Sequence, residues 1–260
     1  MYRPKVGLAL GSGGARGMAH IGVIKVLEEE GVPIDFIAGS SMGSLVGAFY
    51  ASGINPEMMR KLAIHLKRKY WIDLTVPKMG FVAGDKIKEM VRILTHGRNI
   101  EHLQIPLSIV ATDLQKGERV VFTDGPISQA VRASVSIPGI FVPEIVNGKM
   151  LVDGGVIDRV PITVARDMGA DIVIGVDVGM MSSEGKLTSI FDVIAQTIQV
   201  MEREIFRYRI MNADVMITPD VGGYSATSFN EIEELINAGE RAARNAMDQI
   251  REVLQSGGHK

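Results

Sequence analysis

Two short apolar runs near the N-terminus each lead through a glycine-containing turn into a helical pattern. Val6–Leu10 precedes a helix-like stretch at Ala15–Glu30, and Ile34–Ala38 precedes another that ends near Ala51. Repeated strand–turn–helix units predict parallel strands, because each helix returns the chain across the face of the sheet. This pattern restricts the chain to an α/β fold.

The remainder of the chain continues the alternation. A peripheral helical region is predicted from Asn55 to about Arg98, broken near Pro77–Gly80. Later segments are predicted as strands at Leu107–Thr112, Arg119–Phe122, Met150–Val152, Ile172–Val178 and Val215–Thr218, and as helices at Leu187–Met211 and Glu231–Leu254. Since no repeat or linker interrupts residues 1–260, we expect a single domain with a parallel-rich sheet flanked by helices.

Composition removes several classes of function. The net charge of −2 gives no general attraction to nucleic acid, and the absence of cysteine excludes disulfides and thiolate catalysis. Neither a secretory leader nor an apolar run of about 20 residues is present, which predicts a cytoplasmic protein. His65–Trp71 combines basic and aromatic residues; such a run is more often a solvated helix face, and peripheral contact with the inner membrane face is the alternative.

A serine lies at the centre of the second glycine-containing turn. Gly39-Ser40-Ser41-Met42-Gly43 has the form G-x-S-x-G and separates a predicted strand from a predicted helix. In such an elbow the central hydroxyl is exposed at a helix N-terminus, where developing negative charge is favoured. Ser41 is therefore the candidate nucleophile, and Ser40, which lacks the flanking glycine spacing, is a weaker one. The alternative is a serine that only caps the helix.

The first turn, Gly11–Gly17, is called the glycine loop below. A dinucleotide fingerprint would require a third glycine where Arg16 stands, and no lysine of a phosphate-binding P-loop follows. Consecutive glycines instead allow backbone amides to converge on an oxyanion, as acyl transfer requires, although a simple tight turn is the alternative. Arg16 is predicted to bind a substrate phosphate or carboxylate, or to form an ion pair with a neighbour.

A nucleophilic serine needs a group that accepts its proton. Of the five histidines, none follows a late strand, where a hydrolase triad would place it, and His20 is expected to be packed inside the first helix. Asp153 ends a short strand before two glycines, and burial would raise its pKa from about 3.9 towards that of a useful base. An ordinary Asp-Gly turn is the alternative for Asp153, and three other aspartates near strand ends are rivals: Asp113, Asp124 and Asp177.

The glycine loop, the serine elbow and Asp153-Gly154-Gly155, in this order, resemble the patatin-like phospholipase family in its small bacterial form. The resemblance implies a dyad of Ser41 and Asp153 without histidine. It also implies oxyanion donation from the Gly13 and Gly14 amides, and matches Arg16 to the basic residue of the family's loop. Met42, next to the nucleophile, is assigned to the same oxyanion or substrate-binding group. Ser12 departs from the pattern, because many relatives have glycine there.

The same resemblance implies hydrolysis of acyl esters, particularly of phospholipids or lysophospholipids, through an acyl-enzyme. It implies no metal and no cofactor, since the dyad supplies both nucleophile and base. Two alternatives stay open on the sequence: an acyltransferase that uses the same dyad, and a protein that binds acyl lipids without cleaving them.

Overall fold

Strands and helices alternate along the chain, as the N-terminal units predict. The computed structural model describes residues 3–65, 72–76, 78–179, 189–207 and 213–257. The strands are β1 (Val6–Leu10), β2 (Phe36–Ser40), β3 (Gly80–Val82), β4 (Leu107–Asp113), β5 (Glu118–Phe122), β6 (Gly139–Phe141), β7 (Glu144–Val146), β8 (Lys149–Asp153), β9 (Ile172–Val176) and β10 (Val215–Ile217). The α-helices are α1 (Ala19–Glu29), α2 (Met42–Ala51), α3 (Pro56–His65), α4 (Asp85–Leu94), α5 (Ile127–Ser134), α6 (Ile162–Asp167), α7 (Ile190–Arg207) and α8 (Ile232–Ser256).

One large sheet organises these elements. Its order is β10-β9-β1-β2-β4-β8-β7, and β5 also pairs with β4. The first five strands run parallel, whereas β5, β8 and β7 are antiparallel to their neighbours. The predicted α/β class with a parallel-rich sheet is confirmed. β3 and β6 form a second, two-stranded sheet.

The central strands are buried on both faces. In β1, Leu8 and Leu10 belong to the larger core beneath α1, α2 and α8, whereas Ala9 faces a smaller core that contains residues of α6. Successive side chains of a strand point to opposite faces, so a continuous apolar run fills both layers. This arrangement explains why the sequence of β1 shows no polar–apolar alternation.

Several boundaries differ from the sequence predictions. β2 begins at Phe36 rather than Ile34 and extends to Ser40, so Ser41 follows the strand directly. The first helix opens with a 3-10 segment at Gly14–Met18 before α1. The short elements α5, α6, β3, β6 and β7 were not predicted. Most of the basic segment His65–Trp71 lies outside the described residues, and the single-domain assignment stays a prediction. Within the described residues, no helix has the length and apolarity needed to cross a membrane.

Helices α1 and α8 are far apart in the sequence but pack closely against each other in the larger core, at a glycine of each helix. A β-carbon at Gly22 would overlap the backbone of Ile236, and one at Gly239 would overlap the backbone of Ala19. Only glycine permits this backbone separation, because any side chain would push the helices apart.

We expect Gly239→Ala to lower the free energy of unfolding by about 1–3 kcal/mol, the usual cost of overpacking a close contact. Helix propensity alone would predict the opposite change in stability, because alanine is favoured over glycine in a helix by about 1 kcal/mol. Urea unfolding followed by circular dichroism would measure the change. Gly223→Ala is the control, because a β-carbon there would meet no atom within 4 Å. Equal stability of the two variants would contradict the close approach of α1 and α8.

Candidate active site

The serine elbow holds Ser41 in a strained backbone conformation. Its φ of 52° and ψ of −122° lie outside the regions that non-glycine residues normally adopt. The Ser41 amide donates to Ser134 Oγ at 2.8 Å, and Ser44 Oγ donates to the Ser41 carbonyl at 2.7 Å. A β-carbon at Gly43 would overlap the carbonyl of Leu10, so the glycine of the motif is required by the close packing of α2 on β1.

Strand β4 brings Ser41 and Asp153 together. Ser40 at the end of β2 is paired with Val110, and the next residue of β4, Ala111, is paired with Asp153 on β8. The nucleophile and the carboxylate therefore lie at the same level on either side of one strand. Ser41 Oγ donates to Asp153 Oδ2 at 2.5 Å.

Asp153 is fixed by three further hydrogen bonds. Its Oδ1 accepts from the Gly155 amide at 2.8 Å, its carbonyl accepts from Thr112 Oγ1 at 2.9 Å, and its amide donates to the Ser136 carbonyl at 2.9 Å. The side chain is only 3% exposed. Burial raises the pKa of Asp153 to about 6, although the hydrogen bonds from Ser41 and Gly155 act in the opposite direction.

In the glycine loop, Gly13 and Gly14 have amides that are not used by the fold. The amides on either side are engaged: Ser12 donates to the Arg159 carbonyl at 2.9 Å, and Ala15 donates to the Ala226 carbonyl at 2.8 Å. For Gly13 and Gly14, no backbone acceptor is present among the described residues. Gly14 has a φ of 57°, a conformation that favours glycine.

The rival bases are occupied elsewhere. Asp113 accepts from the amides of the β4–β5 turn, and Asp177 is paired with Arg159 at 2.6 Å. Asp124 lies exposed in the loop after β5. His20 is fully buried, and its Nε2 lies 2.8 Å from the Gly11 carbonyl; burial lowers its pKa to about 4. The expectation that His20 is packed is confirmed.

Arg16 is buried inside the protein. Its Nε donates to the Tyr224 carbonyl at 2.7 Å and its Nη1 donates to Gln199 Oε1 at 3.3 Å, so it connects the glycine loop to the 224–227 segment and to α7. It is 1% exposed and is not among the residues that line the two cavities described next. Its role as a substrate ligand stays a prediction. Met42, by contrast, lines the larger cavity beside Ser41.

Two cavities meet at Ser41. The larger, here called the apolar cavity, has a volume of about 140 Å³ and extends from the elbow towards the 72–82 segment and α7. Its apolar lining is Met42, Ile72, Leu74, Val82, Ile87, Val135, Ile137, Ile140, Phe141, Phe191 and Phe229. The smaller, here called the polar cavity, has a volume of about 40 Å³ and lies between the glycine loop, Asp153 and α7. That volume has room for at least one water molecule.

Helix α7 contributes side chains to the site that the sequence did not predict. Ala195, Gln199 and Glu202 of this helix line the polar cavity, and Glu202 is 6% exposed. Ser12 Oγ donates to Glu202 Oε2 at 3.2 Å, so the serine that stands where many relatives have glycine forms a hydrogen bond with α7. These three residues recur every three to four positions and so share one face of the helix. Two of them are polar, and this is the pattern in the sequence that could have indicated their role. In the parts of the chain that the structure describes, no group of three or more His, Asp and Glu side chains is arranged to hold a metal ion.

Comparisons with known proteins identify the family of this chain. The model of the patatin-like phospholipase family matches residues 8–166. The chain is 43% identical over 175 residues to an uncharacterised NTE family protein of Mycobacterium tuberculosis, covering 66% of this chain and 49% of that protein. It is 36% identical to lysophospholipase NTE1 of Pyricularia oryzae and 37% identical to human patatin-like phospholipase domain-containing protein 6, covering 69% and 67% of this chain but 12% and 13% of those proteins.

Solved structures share the fold. VipD from Legionella pneumophila superimposes with a TM-score of 0.68 at 14% identity, covering 95% of this chain and 67% of that one. ExoU of Pseudomonas aeruginosa, in complex with SpcU, superimposes with a TM-score of 0.55 at 16% identity, covering 97% of this chain and 53% of that one. The chain spans about half the length of the mycobacterial relative and about an eighth of the fungal and human ones. From the family match together with these relatives, the chain belongs to the patatin-like phospholipase family.

Proposed function

We propose that this protein hydrolyses carboxylic esters of lipids, with Ser41 as nucleophile and Asp153 as the base. The observation that carries the proposal is the 2.5 Å hydrogen bond from Ser41 Oγ to the buried Asp153 carboxylate. The raised pKa of about 6 supports the assignment of Asp153, because a general base is most effective when its pKa lies near the working pH.

The reaction follows from this geometry in two steps. Ser41 Oγ attacks the ester carbonyl while its proton passes to Asp153, and the protonated Asp153 then gives that proton to the departing alcohol. Water attacks the acyl-enzyme in the second step, again losing a proton to Asp153, which returns it to Ser41 as the fatty acid leaves. The polar cavity has room for this water beside Asp153, which favours hydrolysis over transfer to a larger alcohol.

The Gly13 and Gly14 amides supply the candidate oxyanion site. They lie in the loop that lines the polar cavity with Ser41, and within the described residues they make no backbone hydrogen bond that substrate would have to break. Each donor of this kind is worth about 3 kcal/mol in well-studied hydrolases. The start of α2, with Met42 next to the nucleophile, adds the positive end of a helix dipole.

The apolar cavity supports a lipid substrate. Its lining is apolar from Ser41 outwards, which suits the hydrocarbon of an acyl chain attached to the reacting carbonyl. Two of the relatives are named lysophospholipases, and this agrees with a substrate that has one acyl chain and a polar headgroup.

We expect a fluorophosphonate to add once to the wild-type chain and not at all to Ser41→Ala. Asp153→Asn removes the proton acceptor and keeps the shape, and a general base contributes about 10²–10⁴-fold, so labelling should slow by at least 100-fold. Intact-mass spectrometry would measure both. Ser40→Ala is the matched control and should be labelled at the wild-type rate; labelling of Ser41→Ala would overturn the assignment of the nucleophile.

The rate should also depend on pH through Asp153. Because its pKa is raised to about 6, the base form predominates at pH 7 and is lost as the pH falls through 6. We expect kcat/KM for a soluble short-chain ester to fall about tenfold per pH unit below about 5.5. A profile that stays flat down to pH 4.5 would contradict Asp153 as the base.

We further propose that lipid contacts the mouth of the apolar cavity. Leu74 lines the cavity and is nevertheless 77% exposed, and the neighbouring Val76 is 79% exposed. Exposed apolar side chains at the entrance of an apolar cavity are typical of surfaces that contact lipid.

Leu74→Glu should weaken sedimentation of the protein with phosphatidylcholine vesicles, because a buried carboxylate in the bilayer surface is unfavourable. Its labelling by a soluble fluorophosphonate should stay within twofold of wild type, since the exposed side chain of Leu74 takes no part in the hydrogen bonds of the dyad. Ile93→Glu, a change at another exposed apolar residue on α4, is the control. Unchanged sedimentation of Leu74→Glu would remove the lipid contact from this segment.

A further inference from the structure

Helix α7 places a second carboxyl group beside the candidate dyad. Glu202 extends from α7 into the polar cavity, which it lines together with Ser12, Ser41 and Asp153. Its Oε2 accepts from Ser12 Oγ at 3.2 Å. Its Oε1 comes so close to the turn after Asp153 that a β-carbon at Gly155 would lie 2.5 Å from it.

The reaction proposed above does not use Glu202. Its carboxyl does not accept the Ser41 proton, since Ser41 Oγ donates its hydrogen bond to Asp153. A carboxyl that is 6% exposed and faces a catalytic cavity nevertheless has a large desolvation cost when ionised. This cost requires an explanation that the packing of α7 alone does not provide.

We propose that Glu202 is a positioning residue, which in its neutral form anchors α7 on the glycine loop beside Ser41 and Asp153, and whose ionisation inactivates the site. The proposal rests on the Ser41–Asp153 chemistry proposed above. Glu202 acts through its neighbours: it holds Ser12 next to the oxyanion donors and closes the polar cavity over the dyad.

The charged groups around Glu202 agree with a neutral form at pH 7. Asp153 from β8 and Asp177 after β9 oppose its ionisation, whereas Arg159 and the Ser12 hydroxyl favour it. The positive charge of Arg159 is shared between two carboxyl groups, because its guanidinium is also paired with Asp177 at 2.6 Å. Burial is the largest influence, and the pKa of Glu202 is raised to about 8.

Ionisation would act on the reaction in two ways. A second negative charge beside Asp153 opposes the negative charge that develops on the substrate oxygen, and screening of this repulsion is weak where both carboxyl groups are buried. The ionised carboxylate also gains free energy by reaching water, which favours separation of α7 from the glycine loop.

The test is the alkaline side of the pH profile. We expect fluorophosphonate labelling of the wild-type chain to fall about tenfold between pH 7 and pH 9, as Glu202 loses its proton. Glu202→Gln keeps a neutral side chain of the same shape at every pH, so its labelling should fall less than twofold over this range. Glu204→Gln, an exposed position on the same helix, is the matched control and should follow the wild-type profile.

A second measurement does not depend on turnover. Because the folded protein keeps a proton on Glu202 that the unfolded chain has lost, wild-type stability falls as the pH rises between about 5 and 8. Glu202→Gln lacks this loss, so its Tm should exceed that of the wild type by an amount that increases over this range. Glu204→Gln should show a constant difference.

The outcomes separate the two proposals. Parallel alkaline profiles for wild type and Glu202→Gln would overturn the role of Glu202, and so would a wild-type profile that stays flat to pH 9.5. A Tm difference that does not change with pH would overturn the neutral carboxyl. Wild-type chain that is not labelled at any pH would overturn the proposed hydrolysis and the kinetic role of Glu202 together, whereas the Tm series would still report its protonation.

Discussion

The alignment of β4 with β2 on one side and β8 on the other determines the geometry of the candidate dyad. Ser41 follows the residue paired with Val110, and Asp153 is paired with Ala111, so the hydroxyl and carboxylate face each other across a single strand. A shift of one residue in either ladder would turn the side chains of that strand to the opposite face. Hydrogen bonds within the sheet therefore set a distance that neither turn alone could set.

Local sequence was sufficient for the parts of the site that are built by local structure. The strand–turn–helix pattern identifies β1 and β2, and the glycine spacing identifies the elbow, because steric limits at a sharp turn apply to residues that are neighbours in sequence. Asp153 is predicted as the base partly by elimination, since no histidine follows a late strand, and partly by family resemblance. What the sequence did not indicate is that β8 pairs with β4, in an antiparallel register that places Asp153 opposite Ala111.

Elements that depend on distant contacts were not predicted. The eight residues of α5 form a short helix whose Ser134 supports the Ser41 amide, and no periodic pattern of that length distinguishes it from a loop. Glu202 lies in a helix that was predicted, but which of its faces meets the cavity depends on how α7 packs over Gly154–Val156. Arg16 is a further example: its position in the loop predicts a substrate ligand, and this stays a prediction, but its contacts with Gln199 and the Tyr224 carbonyl were not predicted.

The position of β1 within the sheet has a consequence for any attempt to shorten this protein. The segment that the family model matches ends at residue 166, before β9 and β10, yet β9 pairs along the whole of β1. A fragment that stops there would leave the amides and carbonyls along one side of β1 unpaired. Because β1 is apolar and carries no charged residue, this exposed edge could pair with a strand of another molecule. The end of the family match is therefore not a suitable end for a soluble fragment. A minimal fragment has to include β9, the strand that covers this edge of β1.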